Sequence, residues 1–565
     1  MCAAVPDSSP PASAPEQVST EAPRAAPESR GAAREHAAGA GPARGAAISG
    51  GGAPKKPSVA RGAALVSAGI LASRLVGLVR TKVTAHYLGT TGVADAVAAA
   101  FRVGNITQNL LGEGTLSATF IPVYAKLRKD SDGKASRFAR ATLGMMIPIV
   151  GFATLLFTLG APLLAGVIAN GFHGSKLDLT IQITRTVFPM TGVLVLGAWA
   201  LGVLNAHRRF LLPYMAPVIW SVAQIAALVA GSTIFHLTGA GLAIALGWGA
   251  LAGGLLQVIV MLPTARRLLG GIVPIFSSRV EGVREAASRA PSAILGRGII
   301  QLSGLIDMML ASRLGEGANA VMNYTQQIYL LPMSLLGAGE AAAALPELAE
   351  QRLTGSPEEA KAAMRRSLGR SLARLTALSF VATAVFGALG SELITVLLQG
   401  GKFDRSSTHD VAIALGAYAL GLPGNAICRL LTTVCFALGD TKRPALYAIV
   451  RVAVSTAVSV SLMGWLGVPG IVIGAGVAAW VELGMLAILV RREIGGLGLE
   501  VVPIGRILIV AASTASTGLG VRYALPEAFT HTIPGALVVL VAAFGVFVAA
   551  ARSLGVLSLR SMLKG

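Results

Sequence analysis

Charge is what this sequence has least of. Only 13% of its 565 residues are Asp, Glu, Lys or Arg, about half the fraction usual in soluble domains, which excludes a soluble enzyme. Cysteine is nearly absent: of three, Cys2 lies in the N-terminal tail, and Cys428 and Cys435 sit seven apart on one expected helix, about 10 Å from each other. They cannot pair within that helix, so there is no disulfide framework. The seven histidines are scattered and form none of the close pairs of a helical zinc site, so no metal hydrolase is indicated. Residues 1–57 have almost no large apolar side chains and lack the apolar core of a secretory signal peptide, and are expected to be a disordered cytoplasmic extension. No loop further on is long enough for a catalytic domain, which argues against an integral-membrane glycosyltransferase or any other enzyme.

What the chain has is hydrophobic length. Mean hydropathy is +0.69, and roughly fourteen apolar stretches follow one another from residue 59 to residue 552, most near the 20 residues that cross a bilayer. The expected fold is an all-α polytopic membrane protein. The net charge of +20 does not mark a nucleic-acid binder, because the basic residues sit between spans rather than on one folded face. Loops after even-numbered spans and the C-terminus carry 27 Lys and Arg, against 7 after odd-numbered spans. By the positive-inside rule both termini are then cytoplasmic, which requires an even number of spans.

The chain also resembles itself at an offset of about 225 to 231 residues. Leu88-Gly89 returns as Leu314-Gly315, and Gly241 to Ala245 with the later Arg266-Arg267 return as Gly470 to Gly474 with Arg491-Arg492. The offset spans six helices, which predicts two six-helix lobes related by a parallel repeat, the architecture of many transporters. The expected divisions are 58–270 for the first lobe, 271–497 for the second and 498–565 for two further spans.

Ionisable groups inside spans are costly unless they face water or a partner, which makes them the functional clues. Asp95, Arg102, Asn105, Asn109 and Glu113 fall within about 80° of one another on the second span, a stripe that suits a hydrated interior and within which Asp95 and Arg102 could pair. Arg74 and Arg80 lie on the first span, where Arg74 is deep enough to line a cavity and Arg80 either does the same or snorkels from the outer end. Span 7 adds Arg297, Gln301 and Asp307, and span 8 adds Asn319, Asn323, Gln326 and Gln327. Arg429 and Arg451 are read as paired or snorkelling; Glu340 and Glu482 are ambiguous. Cationic groups in a central chamber suit an anionic substrate, since guanidinium binds phosphate or carboxylate in a bidentate manner.

Residues Ala72 to Arg80, Leu88-Gly89, Ala94-Asp95-Ala96, Gly112-Glu113-Gly114 and Phe120-Ile121-Pro122 resemble the N-terminal signature of the MurJ/MviN family, and similar matches continue through Asn205-Ala206-His207, Leu345-Pro346 and Ala437 to Thr441. The resemblance implies a lipid II flippase of the bacterial cytoplasmic membrane, working by alternating access, with spans 13 and 14 forming a groove for the lipid tail. It implies Arg74 and Arg80 as diphosphate contacts with Asp95 orienting them; Arg102, Asn105, Asn109, Glu113, Arg297, Gln301 and Gln327, singled out by their polarity inside the spans, are the further candidate substrate contacts. It implies no cofactor, with Asp307 a candidate for a monovalent-cation site, and lipid II, membrane lipids and the cell-wall synthesis machinery as partners. Two departures stand out: the family's basic pair before the Glu-Gly of span 2 is Gln108 and Asn109 here, and its Asp-Arg pair in span 8 is Gln326 and Gln327. They leave open an exporter of another lipid-linked oligosaccharide, or a scaffold that does not transport.

Overall fold

In lipid, a long apolar segment satisfies its backbone groups internally only as a helix, and helices are what form. The computed structural model describes residues 59–333, 357–499 and 503–555. In chain order the first six helices are α1 (Val59–Leu88), α2 (Gly92–Leu111), α3 (Glu113–Asp130), α4 (Asp132–Leu159), α5 (Ala161–Ile168) and α6 (Gly174–Ala206). There follow α7 (Leu211–Thr233), α8 (Ala240–Leu269), α9 (Val283–Ser312) and α10, described over 318–333. The remainder are α11 (Pro357–Leu397), α12 (Arg405–Ala419), α13 (Leu422–Ala437), α14 (Lys442–Leu466), α15 (Val468–Ile494), α16 (Ile504–Ala524), α17 (Glu527–Thr530) and α18 (Ile533–Ser553). As far as the described residues reach, the fourteen expected spans fall on these helices, the one expected at 141–165 across α4 and α5, which part at Gly160, and another across a bent helix pair. Among the described residues nine helices are long and apolar enough to cross a membrane, ten with that pair.

The pair is α12 with α13, bent by 44°, where the sequence predicts one continuous span over 409–437. Gly421 breaks the helix and Pro423, in the first turn of α13, lacks the N–H that would continue the ladder. Span 1 also differs, because α1 runs on to Leu88 rather than ending near residue 80. The tail at 1–57, Glu340 and Leu345-Pro346 lie outside the described residues.

The internal repeat is visible in the turns. α8 and α15 both start after a glycine with positive φ, Gly239 (50°) and Gly467 (64°), and both end in a left-handed glycine, Gly270 (67°) and Gly495 (77°). Gly270 and Gly495 donate their N–H groups to Arg266 O and Arg491 O, the first members of the repeated Arg-Arg pairs. α7 packs on α8 as α14 packs on α15. In the first hairpin a Cβ on Gly249 would stand 2.3 Å from that of Ala227, so the two helices meet closely there.

α6 forms the centre of the first bundle, packed by α2, α4 and α8, and its Trp199 indole donates to Ala139 O at 2.9 Å. α9 does not belong to one half alone: it packs on α3 as well as on α14 and α15. A further cluster joins Leu88 and Val97 to Tyr324, Phe403 and Leu415, closing the molecule at the end where α1 finishes and α2 begins. We call this the sealed end. α16 and α18 pack on α11, where Arg522 Nε lies 3.3 Å from Oε1 of the buried Glu392.

Candidate transport cavity

The sealed end is held by bonds between distant parts of the chain. Lys82 Nζ donates to Val396 O at 2.9 Å and the Lys402 N–H to His86 O at 2.8 Å. Thr90 and Ser407 share a hydroxyl hydrogen bond of 2.8 Å, and the Gly92 N–H donates to Glu316 Oε1 at 2.7 Å. Asp404 caps α12, and the Ser407 N–H at 2.8 Å holds its carboxyl below the usual range.

Asp95 belongs to this seal. It is fully buried; its Oδ2 is 2.5 Å from Lys176 Nζ and accepts from the Gly317 N–H at 2.7 Å, while Oδ1 accepts from the Ala320 N–H at 2.8 Å. The carboxylate thus sits at the N-terminus of α10, where free N–H groups and the helix dipole favour an anion. This corrects two expectations. Asp95 does not pair with Arg102, and its bonded partners are Lys176, Gly317 and Ala320 rather than Arg74 or Arg80. Lys176, which the sequence offers only as a loop charge, is its counter-ion.

Behind the seal lie two contiguous cavities of about 300 Å³ each, walled by α1, α2, α7 and α10. The one nearer the seal is lined by Arg80, Arg102, Asn105, Gln224, Asn323 and Gln326 among others; the one further from it by Arg74, Arg80, Ser73, Tyr214 and Ser221. Arg80, Thr81, Trp220 and Gln327 line both. Arg80 does not reach away to the outer end: its guanidinium lies over the Trp220 ring, 4.9 Å from the centroid. Trp220 is itself fixed by an indole hydrogen bond to Ala250 O at 3.1 Å. Arg102 Nη1 donates to Gln326 Oε1 at 2.7 Å, so one of the two amides noted in span 8 holds an arginine at the cavity wall.

Gly304 on α9 makes room for that arginine, since a Cβ there would stand 1.8 Å from Arg102 Nη2. A Gly304→Ala protein is therefore expected to fold and to transport about tenfold more slowly, the cost of one misplaced charge-assisted bond. Transport assays in proteoliposomes check this; an unchanged rate would mean that Arg102's position is immaterial.

Of the remaining expected residues, Asn109 is exposed on the same face of α2 as Asn105, and Gln301 is half-buried on α9. The side chains of Glu113 and Arg297 lie outside the described residues. Asp307 has Arg102 and Arg451 as electrostatic neighbours. Arg451 is indeed paired, to Glu482 Oε2 at 2.7 Å and to Asn425 Oδ1 at 2.6 Å, and Asn425 Nδ2 donates to Tyr329 OH at 2.9 Å. Arg429, one turn beyond Asn425 on α13, is exposed and has no carboxylate within ion-pair distance among the described residues. The described residues hold no cluster of three or more His, Cys, Asp or Glu suited to a metal.

Beside the cavities, α10, α11, α16 and α18 enclose an apolar groove of about 530 Å³. Leu331, Val385, Leu393, Phe544 and Phe547 line it, and Thr514 is its one polar lining residue.

A helical bundle sealed at one end over a cavity of arginines and amides defines a membrane transporter, and solved structures share its fold. It superposes on "Lipid II flippase MurJ, inward closed conformation" with a TM-score of 0.72 at 17% identity, covering 87% of this chain and 99% of that one. A multidrug resistance MATE family transporter of the MOP superfamily, inward-facing, follows at TM-score 0.61 and 15% identity, covering 77% and 98%. The family model for lipid II flippase MurJ matches residues 84–543, and the chain belongs to that family. It is 32% identical over 435 residues to a probable lipid II flippase MurJ of Rhizobium tropici, covering 76% of this chain and 80% of the relative. It is 30% identical over 443 residues to lipid II flippase MurJ of Burkholderia cenocepacia, covering 76% and 83%.

Proposed function

We propose that this chain flips lipid II, the lipid-linked peptidoglycan precursor, from the cytoplasmic to the outer leaflet of the bacterial cytoplasmic membrane, and that it does so as a transporter without chemical catalysis. Both termini face the cytoplasm, so the sealed end faces outward. The halves 58–270 and 271–497 move against each other in alternating access, and 498–565 contributes α16 and α18 to the groove. The headgroup occupies the paired cavities, with Arg74 and Arg80 on the diphosphate and Arg102, Asn105 and Gln327 as further contacts, while the polyprenyl chain lies in the apolar groove. The observation that carries this reading is the placement of Arg74 and Arg80 in one continuous cavity, in a chain of this family.

No cofactor is required. A monovalent cation at Asp307 would compete with the guanidinium groups of Arg102 and Arg451, which favours the membrane potential, about 2.3 kcal/mol per charge per 100 mV, as the drive. Complementation tests the proposal. In a bacterium depleted of its resident lipid II flippase, the wild-type chain is expected to restore growth and Arg74→Ala to fail at equal expression. Failure of a well-folded wild type would point to the second reading, which the amides at 108, 109, 326 and 327 favour: another lipid-linked oligosaccharide as cargo, or a scaffold role.

A further inference from the structure

The two halves of the chain differ where the repeat makes them comparable. Pro213 and Gly241, near the starts of α7 and α8, return as Pro444 and Gly470 near the starts of α14 and α15. The same offsets, 231 and 229 residues, carry Trp220 onto Arg451 and Gly253 onto Glu482. Both pairs touch. In the first half the contact is tight and uncharged: a Cβ on Gly253 would stand 3.0 Å from Trp220 Cα. In the second half it is an ion pair, Arg451 Nη1 to Glu482 Oε2 at 2.7 Å, with the carboxylate buried. The helix hairpin can thus be built without charge at this place, and a buried pair seldom offsets its own desolvation. Ionisable groups that packing does not demand inside a span point to function.

The guanidinium of Arg451 gathers oxygen ligands. Its Nη2 donates to Asn425 Oδ1 at 2.6 Å, and Asn425 Nδ2 donates to Tyr329 OH at 2.9 Å, which keeps the amide oxygen turned toward the arginine. Asp307 on α9 has Arg451 and Arg102 as electrostatic neighbours. Two guanidinium groups therefore stand with two carboxylates, Asp307 and Glu482, and the charges cancel. A small hard cation takes carboxylate and carbonyl oxygens. The oxygens of that kind here are those of Glu482, Asn425 and Asp307, and the first two are already bonded to a group that stays charged at every accessible pH. A free cation does not fit beside it.

We propose that Arg451 is a tethered cation: its guanidinium permanently fills the place that a mobile monovalent cation would need among Glu482, Asn425 and Asp307, so that the second half cycles without binding an ion. The occupancy stands on the geometry alone; its consequence for transport rests on the flippase reading given above. Removing the guanidinium converts a filled site into a vacant one. In Arg451→Gln two carboxylates remain with Arg102 as their cation, a net negative charge that a small cation can balance.

The melting temperature of the full chain in detergent is measured in sodium, lithium, potassium or N-methylglucamine chloride at one ionic strength. The wild type should melt at one temperature in all four. Arg451→Gln should melt lower than the wild type in N-methylglucamine and gain several degrees in sodium or lithium, because a ligand that binds only the folded state stabilises it. Arg451→Lys keeps a tethered charge and should show no such gain, nor should Arg451→Gln combined with Glu482→Gln, in which both charges of the pair are gone. In proteoliposomes wild-type flipping should stay within about twofold across the four salts, while the Arg451→Gln rate should rise about tenfold as sodium fills the vacated site. A wild-type melting temperature or rate that depends on which small cation is present overturns the tethered cation. So does an Arg451→Gln chain that no small cation stabilises, folded or not. The melting temperatures need no cargo, so a chain that flips no lipid II would sink the flippase reading and leave this result standing.

Discussion

An Arg80→Ala protein is expected to fold and to lose transport by about two to three orders of magnitude. Arg80 is shared by both cavities and supplies the guanidinium that Trp220 holds in place at 4.9 Å. A bidentate contact with a phosphate comprises two charge-assisted bonds of about 1.5–3 kcal/mol each, and about 1.4 kcal/mol is a factor of ten. Arg80→Lys should recover only part of the rate, because an ammonium keeps the charge and loses both the planar fork and the stacking on the indole. Lipid II flipping in proteoliposomes with protein-normalised rates measures both. A wild-type rate in Arg80→Ala would remove Arg80 from the substrate path and leave Arg74 to carry the diphosphate alone.

The second large effect concerns stability and the seal. Asp95 is fully buried, and one carboxylate joins Lys176 to two backbone N–H groups at the start of α10. Removing one partner of a buried pair costs about 3–5 kcal/mol. Asp95→Ala should therefore lower the melting temperature by several degrees and loosen the sealed end. Lys176→Met should do less, because the bonds from Gly317 and Ala320 remain and the lost ammonium is partly exposed. A cysteine at Ser407, which is buried in the seal beside Thr90, reports the opening. An impermeant maleimide should label Ser407→Cys slowly in the parent and faster when Asp95→Ala is added. Equal labelling with and without Asp95 would show that the seal does not depend on this latch.

The division between what the sequence discloses and what it hides follows the range of the interactions. Spans, the repeat and the polar face of α2 are local, periodic properties, and each coincides with a helix or a turn in the structure. Arg74, Arg80, Arg102, Asn105 and Gln327 stand out in the sequence because charge and amide groups are rare inside apolar runs, and the structure gathers them at the cavities. The role of Asp95 was misread because its partners lie 81 residues away at Lys176 and more than 220 away at Gly317 and Ala320, and no periodicity encodes such a meeting. Trp220 escaped notice because an aromatic ring in a membrane helix looks like core. Gly304 was hidden by number: with 68 glycines in the chain, the one that clears a path for Arg102 has no distinguishing context. The break between α12 and α13 was written plainly at Gly421 and Pro423, but a hydropathy window averages across it.

α10 carries both ends of the device on one rod. Its first turn is bonded to the Asp95 carboxylate, and Asn323, Gln326 and Gln327, roughly 5 to 10 Å along the axis from Ala320, face the cargo chamber. A helix of a few turns transmits displacement along its length because a sharp kink would cost it backbone hydrogen bonds. In the proposed flippase cycle, a tilt that the headgroup imposes on the amide end is expected to reach the Asp95 end, so that cargo filling the chamber would release the exit.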